Sequence, residues 1–76
     1  MADKSLDARN LNCPLPILKT KRALDGVEIG GTLEVLATDP GSPDDFVAFA
    51  DSTGHTLLEQ SSDAAGVFRF VLRREA

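Results

Sequence analysis

Asn12-Cys13-Pro14-Leu15-Pro16 is the stretch from which the rest of this chain can be read. It holds the only cysteine of the 76 residues and two of the four prolines. Proline is tolerated in a helix where its missing N–H has no use, and the first N–H groups of a helix have no partner inside it. With Cys13 as N-cap, Pro14 becomes the first helical residue and Pro16 the third. Both then remove donors that were unpaired anyway, at a small cost because Pro16 disfavours helical backbone at Leu15. On this reading the Cys13 sulfur takes the place of a capping oxygen. The Leu15 N–H and the positive end of the helix dipole point at it, so the sequence predicts a thiol more acidic than a free cysteine.

Working outward, Ser5-Leu6-Asp7-Ala8 alternates and predicts a short first strand, with residues 9–12 as connector. The first helix is expected from Pro14 to Asp25, with Ile17, Leu18 and Leu24 as its apolar stripe. Lys19, Lys21 and Arg22 are left to water, and Gly26 is a natural C′ residue. After the Gly30-Gly31 turn, residues 32–38 predict a second strand facing inward with Leu33, Val35 and Ala37. Strand–helix–strand implies a right-handed parallel crossover. Asp39-Pro40-Gly41 breaks the chain, and a second helix opens with Ser42 as N-cap, Pro43 at the first position, and Asp44 and Asp45 against the dipole. Its buried side is expected to be Phe46, Val47, Phe49 and Ala50, and Gly54 ends it.

Residues 55–60 predict a third strand, 61–66 a turn, and 67–73 a fourth strand. In the last, Phe68, Phe70 and Leu72 face one way, and Val67, Arg69, Val71 and Arg73 the other, so one sheet face is expected to expose arginines. The order β-α-β-α-β-β over a single domain, residues 1–76, gives an α/β (α+β) two-layer sandwich: a four-stranded sheet with two helices on one face. Both strand-to-helix turns then lie at one sheet edge, which puts Cys13 beside the Asp39–Ser42 loop.

Composition narrows the function. The net charge is −4, with five bases and three acids in residues 1–25, and eight acids and no base in residues 26–68. An acidic surface argues against direct nucleic-acid binding, while the bases at 19–22 leave one region suited to an acidic partner. A lone cysteine forms no internal disulfide, and cysteine-based metal sites need more ligands, so no metal is expected. An unpaired thiol fits a reducing cytoplasm. Met1-Ala2-Asp3-Lys4-Ser5 is polar and leads into no long apolar run, so neither a signal peptide nor a membrane span is expected.

Leu6-Asp7-Ala8-Arg9-Asn10-Leu11-Asn12-Cys13-Pro14-Leu15-Pro16 resembles the opening of the TusA/SirA family of small sulfur-carrier proteins, in which a Leu-Asp strand leads into a Cys-Pro-x-Pro motif. Gly30-Gly31-Thr32-Leu33 and Thr38-Asp39-Pro40 resemble that family's glycine turn and Asp-Pro segment, and the likeness runs from Leu6 to Arg74. The resemblance implies a mixed sheet and a sulfur-bearing role for Cys13, with no cofactor beyond a transient cysteine persulfide. It also implies a cysteine desulfurase or other sulfurtransferase as donor, and a downstream sulfur-relay protein as acceptor. The destinations implied are tRNA 2-thiouridine synthesis or other sulfur trafficking. Such a chain works as a relay with sulfurtransferase-type chemistry rather than as an independent enzyme.

The other residues of the region fall into groups around Cys13. Pro14, Pro16, Leu15 and Asn12 shape the loop; Lys19, Lys21, Arg22 and Asp39 are candidates for partner contact or for tuning the thiol. Asp7 reads as a strand-end hydrogen-bonding residue. His55, the only histidine, is expected to be distant and structural. No resolving cysteine is present, which favours transfer between molecules over an internal dithiol cycle. The alternatives are a non-catalytic regulatory or interaction module, with Cys-Pro-x-Pro as a rigid docking edge, and a peroxide-sensing thiol.

Overall fold

Two strands carry the core because their side chains alternate cleanly between faces. In β2 (Thr32–Ala37) Leu33, Val35 and Ala37 are buried, and in β4 (Phe68–Arg73) Phe70 and Leu72 are. Around them the chain runs β1 (Lys4–Ala8), α1 (Leu15–Asp25), β2, α2 (Ser42–Thr53), β3 (Thr56–Ser62), β4. This computed structural model describes residues 3–76, so Met1 and Ala2 of the polar opening lie outside it. The sheet order is β1-β2-β4-β3, with β1 parallel to β2 and β4 antiparallel to both its neighbours, a mixed sheet as expected.

Both helices share one core with the inner sheet face. Leu24 of α1 and Phe46, Phe49 and Ala50 of α2 pack with Ala8, Leu33, Val35, Ala37, Phe70 and Leu72. The Phe46 and Phe70 rings stack with centroids 4.2 Å apart and join helix to sheet. Two expected core residues are misplaced, however. Leu18 and Val47 are 42% and 45% exposed; α1 instead buries Pro16 and Thr20, whose hydroxyl donates to the Pro16 carbonyl at 2.7 Å. Thr20 follows Pro16 by one helical turn, so both fall on the inner face, while Leu18 falls on the outer one.

The expected helix boundaries also shift. The residue before α1 is Pro14 and the residue before α2 is Gly41, and neither helix start has a side-chain capping hydrogen bond. Ser42 is therefore the first helical residue of α2, not its N-cap, and its buried hydroxyl has no partner. Asp39 acts at this start instead: its carboxylate accepts from the Gly41 N–H at 3.2 Å, and its carbonyl from the Ser42 N–H at 3.0 Å. At the other end of α1, Gly26 has φ −91°, so no left-handed turn is used there. The orphan carbonyls meet cations: Lys4 Nζ donates to Gly26 O at 2.7 Å, and Arg74 to Asp25 O and Val27 O. Gly54, at φ 79°, does end α2 in the left-handed conformation.

The helix-free face departs from the expected row of exposed arginines. Arg69 donates to Glu34 on β2 at 2.5 Å and to Glu59 on β3 at 3.2 Å. Both glutamates flank Val71 in the register, so the bridge passes over Val71, which is only 5% exposed. Arg73 pairs with Glu75 at 2.8 Å. β3 runs two residues further than expected, to Ser62, and a register shift between Leu57 and Glu59 turns Leu58 outward on this edge strand.

The parallel pairing ends with Ala8 beside Ala37, so the chain leaves β1 and β2 at the same sheet edge. The Asn10 N–H donates to Thr38 Oγ1 at 2.9 Å and ties the two exits together. That link brings the loop of Cys13 and the loop of Asp39 side by side.

Candidate functional site

Cys13 lies one residue outside the position expected for it. The Cys13–Pro14 peptide is cis, and the Leu15 N–H donates to Asn12 O at 2.9 Å, closing a turn with Cys13 and Pro14 at its centre. The donor expected to face the sulfur is thus taken by the Asn12 carbonyl. Helix α1 begins at Leu15, with Pro16 as its second residue, as Pro43 is the second residue of α2. The shared proline rule aligns Pro16, not Pro14, with Pro43. It leaves Cys13 and Pro14 as an exposed spur ahead of the helix.

The spur stands over a groove between the helices of about 360 Å³, lined by Cys13, Pro14, Ile17, Asp45, Ala48, Phe49 and Ser52. One wall is α1 and the other α2, so the groove exists only because the helices pack side by side. Cys13 is exposed and is free of any disulfide. Its pKa is raised, not lowered as expected: desolvation of the thiol acts first, then the charge and hydrogen-bond acceptance of Asp45, then the charge of Asp39. A Cβ built on Gly41 would lie 3.2 Å from Asp39 Oδ2 and 3.6 Å from Asp45 Oδ2, so the two carboxylates converge over Gly41. Both acids belong to the start of α2, so the sulfur faces carboxylates rather than the unpaired N–H expected at α1.

The other residues singled out in the sequence divide into two groups. Asn12, Pro14 and Asp39 are gathered at the site, and Leu15 is 43% exposed beside it. Lys19, Lys21 and Arg22 are exposed on α1, and the charges that act on the thiol are Asp45 and Asp39 rather than theirs. Asp7 serves the strand end: the Arg9 guanidinium and N–H hold its carboxyl down at about 2. His55 is tied elsewhere, its Nδ1 accepting from the Glu75 N–H at 3.1 Å. Asp45 is the site residue that sequence reading missed. It reads as a dipole partner of α2, and only the pairing of the two strand-to-helix turns discloses its second role.

A family model, sulfurtransferase TusA, matches residues 4–74. The chain belongs to the TusA family. It is similar to a sulfur carrier protein TusA of Allochromatium vinosum, with 50% identity over 72 residues covering 95% of this chain and 93% of that one. A putative sulfur carrier protein of Neisseria meningitidis serogroup A is 48% identical over 75 residues, covering 99% of this chain and all of its own. Among solved structures, a SirA-like protein from Desulfitobacterium hafniense superposes with a TM-score of 0.82 at 26% identity, over 96% of this chain and 99% of that one. These two relatives match over nearly their whole length, and the SirA-like structure shares the fold described above. No helix among the described residues is long and apolar enough to cross a membrane.

Proposed function

We propose that this protein is a sulfur carrier and that Cys13 is the residue that bears the sulfur. The observation that carries the reading is an exposed, unpaired thiol at an open groove ahead of α1, in a chain whose relatives are named sulfur carriers. The Cys13 sulfur attacks the terminal sulfur of a donor persulfide. A new S–S bond forms as the donor's S–S bond breaks, the electron pair leaves on the donor sulfur, and that sulfur takes up the Cys13 proton. Oxidation states balance within the exchange, so neither metal nor other cofactor is called for. An acceptor nucleophile then removes the terminal sulfur from Cys13 by the same exchange in reverse.

The donor is a cysteine desulfurase or another sulfurtransferase, and the acceptor a downstream sulfur-relay protein, in tRNA thiolation or a related route. The single-domain chain acts as a relay within a reducing cytoplasm. The test is intact mass after incubation with a cysteine desulfurase and L-cysteine. A gain of one sulfur atom, lost on reduction and absent in Cys13→Ser, is the expected result. A native chain that gains no sulfur refutes the reading, and a Cys13→Ser chain that still gains it refutes the assignment to Cys13. Full pathway activity in Cys13→Ser would favour the interaction module instead.

A further inference from the structure

The charges that reach Cys13 are all of one sign. Asp45 lines the groove with Cys13 and accepts from its thiol, and Asp39 adds its own negative charge. The rest of the groove is uncharged: Pro14, Ile17, Ala48, Phe49 and Ser52. Neither carboxylate is neutralised by a base. Among the described residues the ion pairs join Arg9 to Asp7, Arg69 to Glu34 and Glu59, and Arg73 to Glu75. Residues 26–68, which include α2 and the loop before it, contain no base at all. Compensation of the α2 dipole accounts for acids in its first turn, and Asp44 supplies one that is exposed. It does not require the next residue, Asp45, to stand half-buried in the wall of the groove that holds the sulfur.

We infer that Asp39 and Asp45 form a charge filter at Cys13, which slows its exchange with anionic low-molecular-mass thiols and disulfides relative to neutral and cationic ones. Discharge shows the chemistry. A thiolate attacks the terminal sulfur of the Cys13 persulfide, and a new S–S bond forms as the old one breaks. The electron pair leaves on the Cys13 sulfur, which takes up a proton from water. Negative charge spreads over three sulfurs in line beside two carboxylates, so every such thiolate is repelled. A further negative charge on its substituent adds to the repulsion, and a positive one relieves it. A cleft with charge of one sign and apolar walls focuses that field. Glutathione, with more carboxylates than ammonium groups, falls on the disfavoured side. The carried sulfur is thereby kept from the small-thiol pool of a reducing compartment.

This inference deepens the carrier reading, and a test on the free thiol lets the two fail separately. Cys13 is exchanged with cystamine, which is cationic, with hydroxyethyl disulfide, which is neutral, and with the anionic disulfide of mercaptoethanesulfonate. Mixed-disulfide formation is followed by intact mass, and each rate is divided by that of a neutral model thiol, N-acetylcysteinamide. The normalised rates are expected to fall from cationic to neutral to anionic, by about tenfold or more from end to end at low salt, and to converge as salt is raised. Asp45→Asn narrows the spread most, because Asp45 acts on the thiol more strongly than Asp39 does. Asp39→Asn narrows it less, and it retains an acceptor oxygen for the Gly41 N–H at the start of α2. Equal normalised rates for the three disulfides, or a spread that neither substitution narrows, overturn the filter and leave Cys13 as carrier. A native chain that gains no sulfur from a cysteine desulfurase and L-cysteine defeats the carrier reading, while the charge order measured on the free thiol still supports the filter.

Discussion

Ser42→Ala distinguishes two physical accounts of how α2 begins, because they give opposite signs. If Ser42 were an N-cap, its loss would cost about 0.5–2 kcal/mol. In the structure Ser42 is the first helical residue, 1% exposed, and its hydroxyl has no hydrogen-bond partner. A buried hydroxyl without a partner carries a desolvation penalty of about 1–3 kcal/mol, which alanine does not. Alanine also favours helix over serine by roughly half a kcal/mol. Against these stands the void left by one oxygen, for which roughly 1 kcal/mol is an upper bound, the cost of a methyl-sized gap. The balance is a gain of about 1 kcal/mol. In a domain of this size that raises Tm by about 4–8 °C. Urea unfolding followed by circular dichroism reads the effect as a higher midpoint with an unchanged slope. A midpoint lowered by the equivalent of about 1 kcal/mol would refute the reasoning and restore Ser42 as a cap.

Two further predictions test the site and its frame. Asp45→Asn removes the charge and weakens the acceptor that hold the Cys13 thiol up, so alkylation by iodoacetamide quickens at neutral pH and its pH profile moves to lower pH; an unmoved profile means Asp45 does not act on the sulfur. Gly31→Ala places a Cβ 2.7 Å from Val27 Cγ1 and 2.9 Å from Asp3 Oδ2 and Glu28 O, so urea unfolding shows a loss of about 1–3 kcal/mol, and a stability equal to the native protein's argues that this corner is loosely packed.

Much of the fold was legible because local rules are strong here. Alternation in residues 32–37 and 68–73 marks the core strands, and Gly54 and the proline pairs mark helix ends. The errors lie where a rule gives a choice. A Cys-Pro-x-Pro run allows either proline to open the helix. The turn from Asn12 to Leu15 selects Pro16 as the second helical residue, buried one turn before Thr20. Leu18 and Val47 are apolar but off the buried faces: α1 turns Pro16, Thr20 and Leu24 inward and α2 turns Phe46, Phe49 and Ala50 inward, so hydrophobicity without the helical phase misplaces both. Arg69 reads as exposed because its acidic partners lie on other strands: Glu34 is 35 residues away and Glu59 is 10.

The sequence by itself determined the element order, the two-layer sandwich, the family likeness, and Cys13 as the residue to ask about. Those follow from side-chain period, turn chemistry and the single thiol. Tertiary structure decided the environment of that thiol. Parallel pairing of β1 with β2 brings Asp39 and Asp45 to the sulfur, and the Asn12 carbonyl takes the donor that the sulfur was expected to meet. The field at Cys13 sums charges from segments some thirty residues apart, which no reading of the local motif contains.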